Sequence, residues 1–245
     1  MLGPEASAGR RGSVAIVGAG DFIGAAIARR FAAEGYCVHG GRRQGDKLGA
    51  LAEEIAAAGG SFTGHSLDAR SEEAIAGFLD AADADAPLEV CVFNIGANVN
   101  FPLLDTTERV FRKVWEMACY AGFLTGREAA RRMLVHGRGS IFFTGATASV
   151  RGGKGYAAFA SAKAGLRAAA QSMARELAPK NIHVAHLVID AGVDTAWVRE
   201  RVGEDLPPDT LMNPASIAET YWQLHRQPRD AWTHELDLRP FGESW

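Results

Sequence analysis

In VGAGDFIG (17–24), Gly18, Gly20 and Gly24 sit between a short apolar run, SVAIV, and a stretch with helical spacing. Glycines at such a junction let a strand turn tightly into a helix and let the backbone approach a phosphate. The helix N-terminus then supplies uncommitted N–H groups and the positive end of its dipole. The spacing is G-x-G-x-x-x-G, with Asp21, Phe22 and Ile23 inside the loop, and the chemistry it suits is binding of a dinucleotide pyrophosphate. The next strand-like run ends in HGGRR, with Arg42 and Arg43 and no acid. An acid there would bind a ribose 2′-hydroxyl, whereas two guanidinium groups beside Gly41 suit a 2′-phosphate. The expected cofactor is NADP, with NAD as the alternative, and Asp21 counts against the second phosphate.

A second constellation lies further along. YAAFASAKAGL (156–166) puts Phe159 and Lys163 one helical turn apart, with Tyr156 just before them. FFTGATAS (142–149) places Thr144 and Thr147 on either side of Ala146, and either hydroxyl can meet a substrate oxygen. His183 and His186 are three apart in a strand-like run, so they face opposite sides and do not form a metal pair. There is no H-E-x-x-H and no Cys/His cluster, so no metal is expected. Asp68, Asp190 and Asp194 do not suggest paired carboxylates.

The elements that must position these groups follow from periodicity. Short apolar runs begin at residues 13, 36, 61, 88, 139 and 182, with a last strand in HELDL (234–238). Helical patterns separate them, including one long helix over 106–135 and another over 155–178 that stops at Pro179. Alternation of this kind predicts an α/β fold, a single-domain Rossmann-like doubly wound parallel sheet with helices on both faces. Residues 1–12 read as a flexible lead and 13–245 as the domain. Within the domain, 193–213 form a long polar connection before the last helix; in a fold of this kind such an insertion covers the substrate cleft, and Trp197 either lines it or serves an interface. The tail 232–245 carries Trp232, Phe241 and Trp245, which points to docking on its own domain or, preferentially, on a neighbouring subunit.

Bulk composition is compatible with this. Of 245 residues, 47% are apolar and 22% charged, enough to bury a core without disulfides or metal. The net charge of −3 argues against nucleic acid or anionic lipid as a partner. Cys37, Cys91 and Cys119 are odd in number and widely spaced, as for reduced thiols in a cytoplasmic protein. No run approaches ~20 uninterrupted apolar residues, so no membrane span is expected.

Taken in order, these motifs resemble the short-chain dehydrogenase/reductase family over about residues 13–240. The loop 18–24 is similar to the family's T-G-x-x-x-G-x-G, with Val17 for the threonine and Phe22 for the middle glycine. LDA (67–69) resembles the segment whose acid, here Asp68 beside Ala69, lies by the adenine. FNIG (93–96), with Asn94 and Gly96, resembles N-N-A-G, and FASAK (159–163) stands where the family has Y-x-x-x-K. The resemblance implies hydride transfer between a nicotinamide and a carbonyl or alcohol carbon, and a homodimer or homotetramer acting on a small molecule. It implies that Lys163 holds the nicotinamide ribose and that Ile189 and Val193 flank the nicotinamide. It also implies departures. Phe159 stands for the proton-donating tyrosine, Ala146 for the serine, Ala118 for the asparagine, and Ile189-Asp190 for P-G. Phenylalanine and alanine offer neither proton nor hydrogen bond, so Thr147 and Tyr156 are the candidate replacements. Three readings remain open: an oxidoreductase with an altered proton path, a dinucleotide-binding protein without turnover, and a non-redox enzyme on the same scaffold.

Overall fold

The computed structural model describes residues 12–203 and 206–242, leaving aside the side chain of Val202. The expected lead, apart from Gly12, and Trp245 lie outside the described residues. Seven strands form one parallel sheet in the order β3-β2-β1-β4-β5-β6-β7. They are β1 (Ser13–Val17), β2 (Cys37–Arg42), β3 (Ser61–Ser66), β4 (Leu88–Phe93), β5 (Gly139–Thr144), β6 (Ile182–Ile189) and β7 (Glu235–Leu238). Chain order reverses between β1 and β4, and the crevice above their C-terminal ends is where such sheets bind ligands.

The apolar runs are continuous because both sheet faces are buried. In β1, Val14 and Ile16 point into one core and Ala15 and Val17 into the other. The first core is closed by α1 (Ile23–Ala33), α2 (Gly49–Ala57) and α8 (Pro214–His225), through Ile27, Phe31, Ile55, Tyr221 and Trp222. The second is closed by α3 (Glu72–Asp85), α5 (Ala121–His136) and α6 (Ala157–Leu177), through Leu79, Met133 and Leu166. Helix starts are fixed by local side-chain chemistry. Ser71 accepts a hydrogen bond from the Ala74 N–H, and Asn213 caps α8 just ahead of Pro214.

Two expected elements differ. The long helix over 106–135 is α4 (Glu108–Trp115), a π-helical turn (Glu116–Tyr120) and then α5. A single π-helical turn inside an otherwise continuous helix carries no residue type of its own to mark it in the sequence. The polar connection contains α7 (Ala196–Val202), started by the Thr195 hydroxyl accepting from the Val198 N–H at 3.2 Å. In the tail, β7 joins the sheet beside β6, and Trp232 stacks on His183 of its own chain at 4.8 Å between centroids. Trp232 thus docks on its own domain, one of the two arrangements expected of the tail, while Phe241 is exposed. All three cysteines are free and buried. Among the described residues, no helix is long and apolar enough to cross a membrane.

Candidate functional site

β1 runs directly into the glycine turn. Gly18 adopts φ +97°, and a Cβ there would lie 2.6 Å from the Asn94 carbonyl oxygen. A Cβ on Gly24 would lie 2.6 Å from the Gly18 carbonyl oxygen. Glycine is therefore required for the ends of β1 and β4 and the start of α1 to meet. Asn94 fastens this junction by donating from Nδ2 to the Gly18 carbonyl at 3.0 Å. Gly20, in contrast, has open space above it. α1 starts after Phe22 with no side-chain cap, so its first N–H groups have no side-chain acceptor at the edge of the cleft.

One continuous cleft runs over these strand ends. Its first half is lined by Gly18, Gly20, Arg42, Arg43, Asp68, Ala69, Asn94 and Gly96, together with Arg70, which sequence reasoning did not single out. Arg70 grips Asp68 with a forked pair of hydrogen bonds at 2.9 and 2.6 Å. Those bonds, over the opposing effect of partial desolvation, hold the Asp68 carboxyl down at about 2, helped by the Arg70 N–H and the charges of Arg70 and Arg43. Arg42 donates to Asp21 at 2.6 Å. Asp21 itself does not line the cleft. It lies in the groove between α1 and α8, so its expected place among the cofactor contacts becomes a hold on Arg42 from outside. Three arginines against Asp21 and Asp68 leave this end of the cleft positive.

The second half is lined by Phe22, Ile23, Gly24, Phe159, Lys163, Ile189 and Val193, with Trp197 of α7 at its edge. Lys163 is only 2% exposed. Its Nζ donates to the carbonyls of Ile95 at 2.9 Å and Thr144 at 2.7 Å, which ties α6 to the ends of β4 and β5. Burial pushes this amine down to about 7, with the neighbouring Cys119 opposing. The Phe159 ring, also buried, lies 6.0 Å from Nζ. Ala118 sits in the π-helical turn and packs in the same small cluster as Phe159 and Ala162. The Thr144 hydroxyl is not presented to the cleft, as the sequence allowed; it hydrogen-bonds the buried Tyr221 hydroxyl at 2.6 Å.

Beyond Ala146 and Phe159 the cleft continues into a side branch lined by Asn98, Thr147, Arg151 and Tyr156. Tyr156 is the residue before α6 rather than part of it, which lets its ring enter the branch. Thr147 donates its hydroxyl proton to Asp190, which also accepts from Arg239 at 2.7 Å. Asp190 is 2% exposed. Burial opposes its charge, yet Thr147, Arg239 and the field of Arg151 outweigh that and hold its carboxyl below the usual range. This Thr147–Asp190–Arg239 group escaped the sequence because its members are 43 and 49 residues apart and meet only at strand ends. Arg151 and Asn98 carried no local signal either.

The sequence matches the family model described as short chain dehydrogenase over residues 13–205. It is 29% identical over 214 residues to the 3-oxoacyl-[acyl-carrier-protein] reductase MabA of Mycobacterium tuberculosis, covering 84% of this chain and 82% of that protein. It is 33% identical over 221 residues to the L-rhamnose 1-dehydrogenase (NAD(P)(+)) of Azotobacter vinelandii, covering 84% and 86%. Among solved structures, a short-chain dehydrogenase from Rhodopseudomonas palustris is 61% identical, with TM-score 0.84 over 95% of this chain and all of the other. A metagenomic short-chain oxidoreductase in complex with NADP is 26% identical, with TM-score 0.79 over 97% and 100%.

Proposed function

The chain belongs to the short-chain dehydrogenase family, and from that premise we propose that it is an NADP-dependent oxidoreductase of small carbonyl or alcohol substrates with an altered proton path. The observation that carries this reading is Lys163. It is buried, pinned by two backbone carbonyls, and held at the point where the cleft passes from the glycine turn to the side branch. The residues fit a dinucleotide. The glycine turn has no room for side chains at Gly18 and Gly24, α1 has no side-chain cap, and the opposite end of the cleft is rich in arginine. NADP(H), when bound, supplies or accepts the hydride; reduction adds that hydride to a carbonyl carbon and a proton to its oxygen, giving an alcohol and NADP+.

The chain's own residues bind, orient and protonate. The turn Gly18–Gly24 and the first N–H groups of α1 receive the pyrophosphate. Arg42 and Arg43 hold the 2′-phosphate, Asp68 and Ala69 border the adenine, and Asn94 and Gly96 shape the middle of the cleft. Lys163 holds the nicotinamide ribose, with Ile189 and Val193 beside the ring. Phe159, Ala146 and Ala118 stand at the family's tyrosine, serine and asparagine positions, so the proton comes from elsewhere. Thr147 has its proton committed to Asp190, so its oxygen accepts from the hydroxyl of an alcohol substrate and offers no proton to a carbonyl. Tyr156 is then the group with a transferable proton in the side branch. Val193 and α7, with Trp197, close over the cleft. The protein acts in the cytoplasm as a homodimer or homotetramer. The exposed aromatic side chains Phe111, Trp115 and Phe123 on α4 and α5 support self-association.

The test is titration of purified protein with NADPH and NADH, followed by cofactor fluorescence and thermal shift. Preferential NADPH binding that weakens in Arg43→Ala, followed by NADPH-dependent reduction of a carbonyl panel, is expected. Binding of neither nucleotide overturns the reading. A second reading, a dinucleotide-binding protein without turnover, is favoured by one observation: Phe159 keeps an aromatic ring buried beside Lys163 while lacking a hydroxyl. It predicts NADPH binding without reduction, and reductase activity appearing only in the double variant Phe159→Tyr, Ala146→Ser.

A further inference from the structure

We infer that the side branch is built for an acidic substrate, an oxo or hydroxy compound whose carboxylate or phosphoryl group is received by Arg151. The inference rests on the oxidoreductase reading for what happens next to that group, but not for the recognition itself. Arg151 is the one charged side chain among the residues that line the branch, and its side chain is 52% exposed. A lone guanidinium in a cleft wall is informative only if it is not already neutralised. Asp190 is the nearest carboxylate, and it is engaged elsewhere. One oxygen takes the Thr147 hydroxyl, and the other takes Arg239 Nε at 2.7 Å. Arg239 in turn is shared with Asp237 at 3.0 Å.

Arg151 reaches Asp190 only from Nη2, at 3.4 Å, the loose end of the hydrogen-bond range. Among the described residues that is its single ion-pair partner. A guanidinium offers five N–H donors in a planar fork. The fork is thus largely available to a ligand, and it suits two oxygens of one anion. The branch adds neutral hydrogen-bonding groups at Asn98 and Tyr156 and presents no acidic side chain of its own to repel an anion.

Spacing narrows the class further. Thr147 and Arg151 contact the same oxygen of Asp190, so the guanidinium stands one functional group away from the hydroxyl that accepts from the alcohol form of the substrate. The acidic group therefore lies within a few bonds of the reacting carbon, as in a short oxo acid or an oxo phosphate, rather than at the end of a long apolar chain. Phe159 and Ile189 also line the branch and offer an apolar wall to the carbon skeleton.

The experiment compares pairs that share the oxo carbon and differ in the acidic group: acetoacetate against methyl acetoacetate, and dihydroxyacetone phosphate against dihydroxyacetone. Binding is read by calorimetry with and without saturating NADP+, and reduction is read with NADPH. At least one charged compound is expected to bind ten-fold or more tighter than its neutral partner. Arg151→Gln should erase that preference, and Arg151→Lys should retain part of it. Which pair responds separates carboxylate from phosphoryl recognition. Equal affinity for both members of both pairs, no binding of any of the four, or a preference that survives Arg151→Gln with an unchanged melting temperature overturns the inference. Charge preference that persists while no hydride transfer occurs with any carbonyl overturns the oxidoreductase reading and leaves this one standing.

Discussion

Replacing Lys163 by methionine should abolish a rise in stability that the native protein shows above pH 7. Nζ has two carbonyl acceptors, and a neutral amine keeps enough N–H groups to serve both. Hydrogen bonding thus leaves the charge undecided and burial decides it, lowering the amine to about 7 against the opposing influence of Cys119. In the unfolded chain the group returns to about 10.4. Below pH 7 both states carry the proton. Between 7 and that value the unfolded chain carries a proton that the folded protein has lost, so unfolding takes one up and stability rises with pH. At about 1.36 kcal/mol per pH unit, and allowing for half-titration at pH 7, the gain from pH 7 to pH 9 is about 2 kcal/mol. Methionine has no proton to lose. It also leaves two carbonyls unpartnered, at roughly 1–3 kcal/mol each, but that cost does not depend on pH. Urea unfolding of the cofactor-free proteins from pH 6 to 9.5 separates the two effects, because groups common to both cancel in the difference. A difference between native and variant stability that stays constant within about 0.5 kcal/mol over this range refutes the argument.

Gly18→Ala should lower stability by about 1–3 kcal/mol, since it forces a side chain into positive φ against the Asn94 carbonyl; a melting temperature and NADPH affinity equal to the parent's would contradict the tight turn. Asp21→Asn removes the charge that Arg42 now faces at 2.6 Å, so the ratio of NADPH to NADH affinity should rise about five-fold; an unchanged ratio removes Arg42 from phosphate binding. His186 is fully buried, and desolvation brings it down to about 4 even though Glu235 at 3.2 Å opposes this. The unfolded chain binds a proton there from about pH 6.5 downward while the folded protein does not, so stability should fall by about 3 kcal/mol between pH 6.5 and 4. His186→Asn should lose that acid sensitivity in the same unfolding assay, and an undiminished slope would speak against it. Tyr156→Phe should cut the reduction rate ten-fold or more with NADPH affinity unchanged, and a rate equal to the parent's eliminates this phenol as proton donor.

Much of the fold is legible in the sequence because a parallel sheet buries both faces of its strands. Val14 to Val17 need no alternation with polar residues, and Ser71, Thr107 and Pro214 mark helix starts by side-chain chemistry that acts locally. The glycine turn is legible for a similar reason: Gly18 and Gly24 are required by backbone conformation and contacts at one tight turn. The side branch is not. Thr147, Arg151 and Arg239 converge on Asp190 from the end of β5, from the loop before α6 and from the segment after β7. No periodicity encodes such a meeting. The placement of Tyr156 turned on a single residue at the start of α6, finer than propensity resolves. The pairing of Asp21 with Arg42 joins the glycine turn to the end of β2, a contact that no local pattern marks.

The environment of Lys163 explains how a site of this kind tolerates phenylalanine at position 159. Its amine is fixed by the carbonyls of Ile95 and Thr144, neither of which involves residue 159. The ring of Phe159 fills its place in a cluster with Ala118, Ala158 and Ala162, so the floor of the cleft and the lysine keep their positions without a phenol. A tyrosine at 159 would put a hydroxyl next to an amine that burial has already made reluctant to carry charge, and so weaken the electrostatic help such a pair depends on. In the side branch, Asp190 keeps its charge through Arg239 and Thr147, and Arg151 stands at the opening. The hydrogen-bonding and charged groups thus cluster on the far side of Phe159 from Lys163. The lysine and the groups of the side branch are held by separate partners, so on this geometry each can be changed by substitution without disturbing the other.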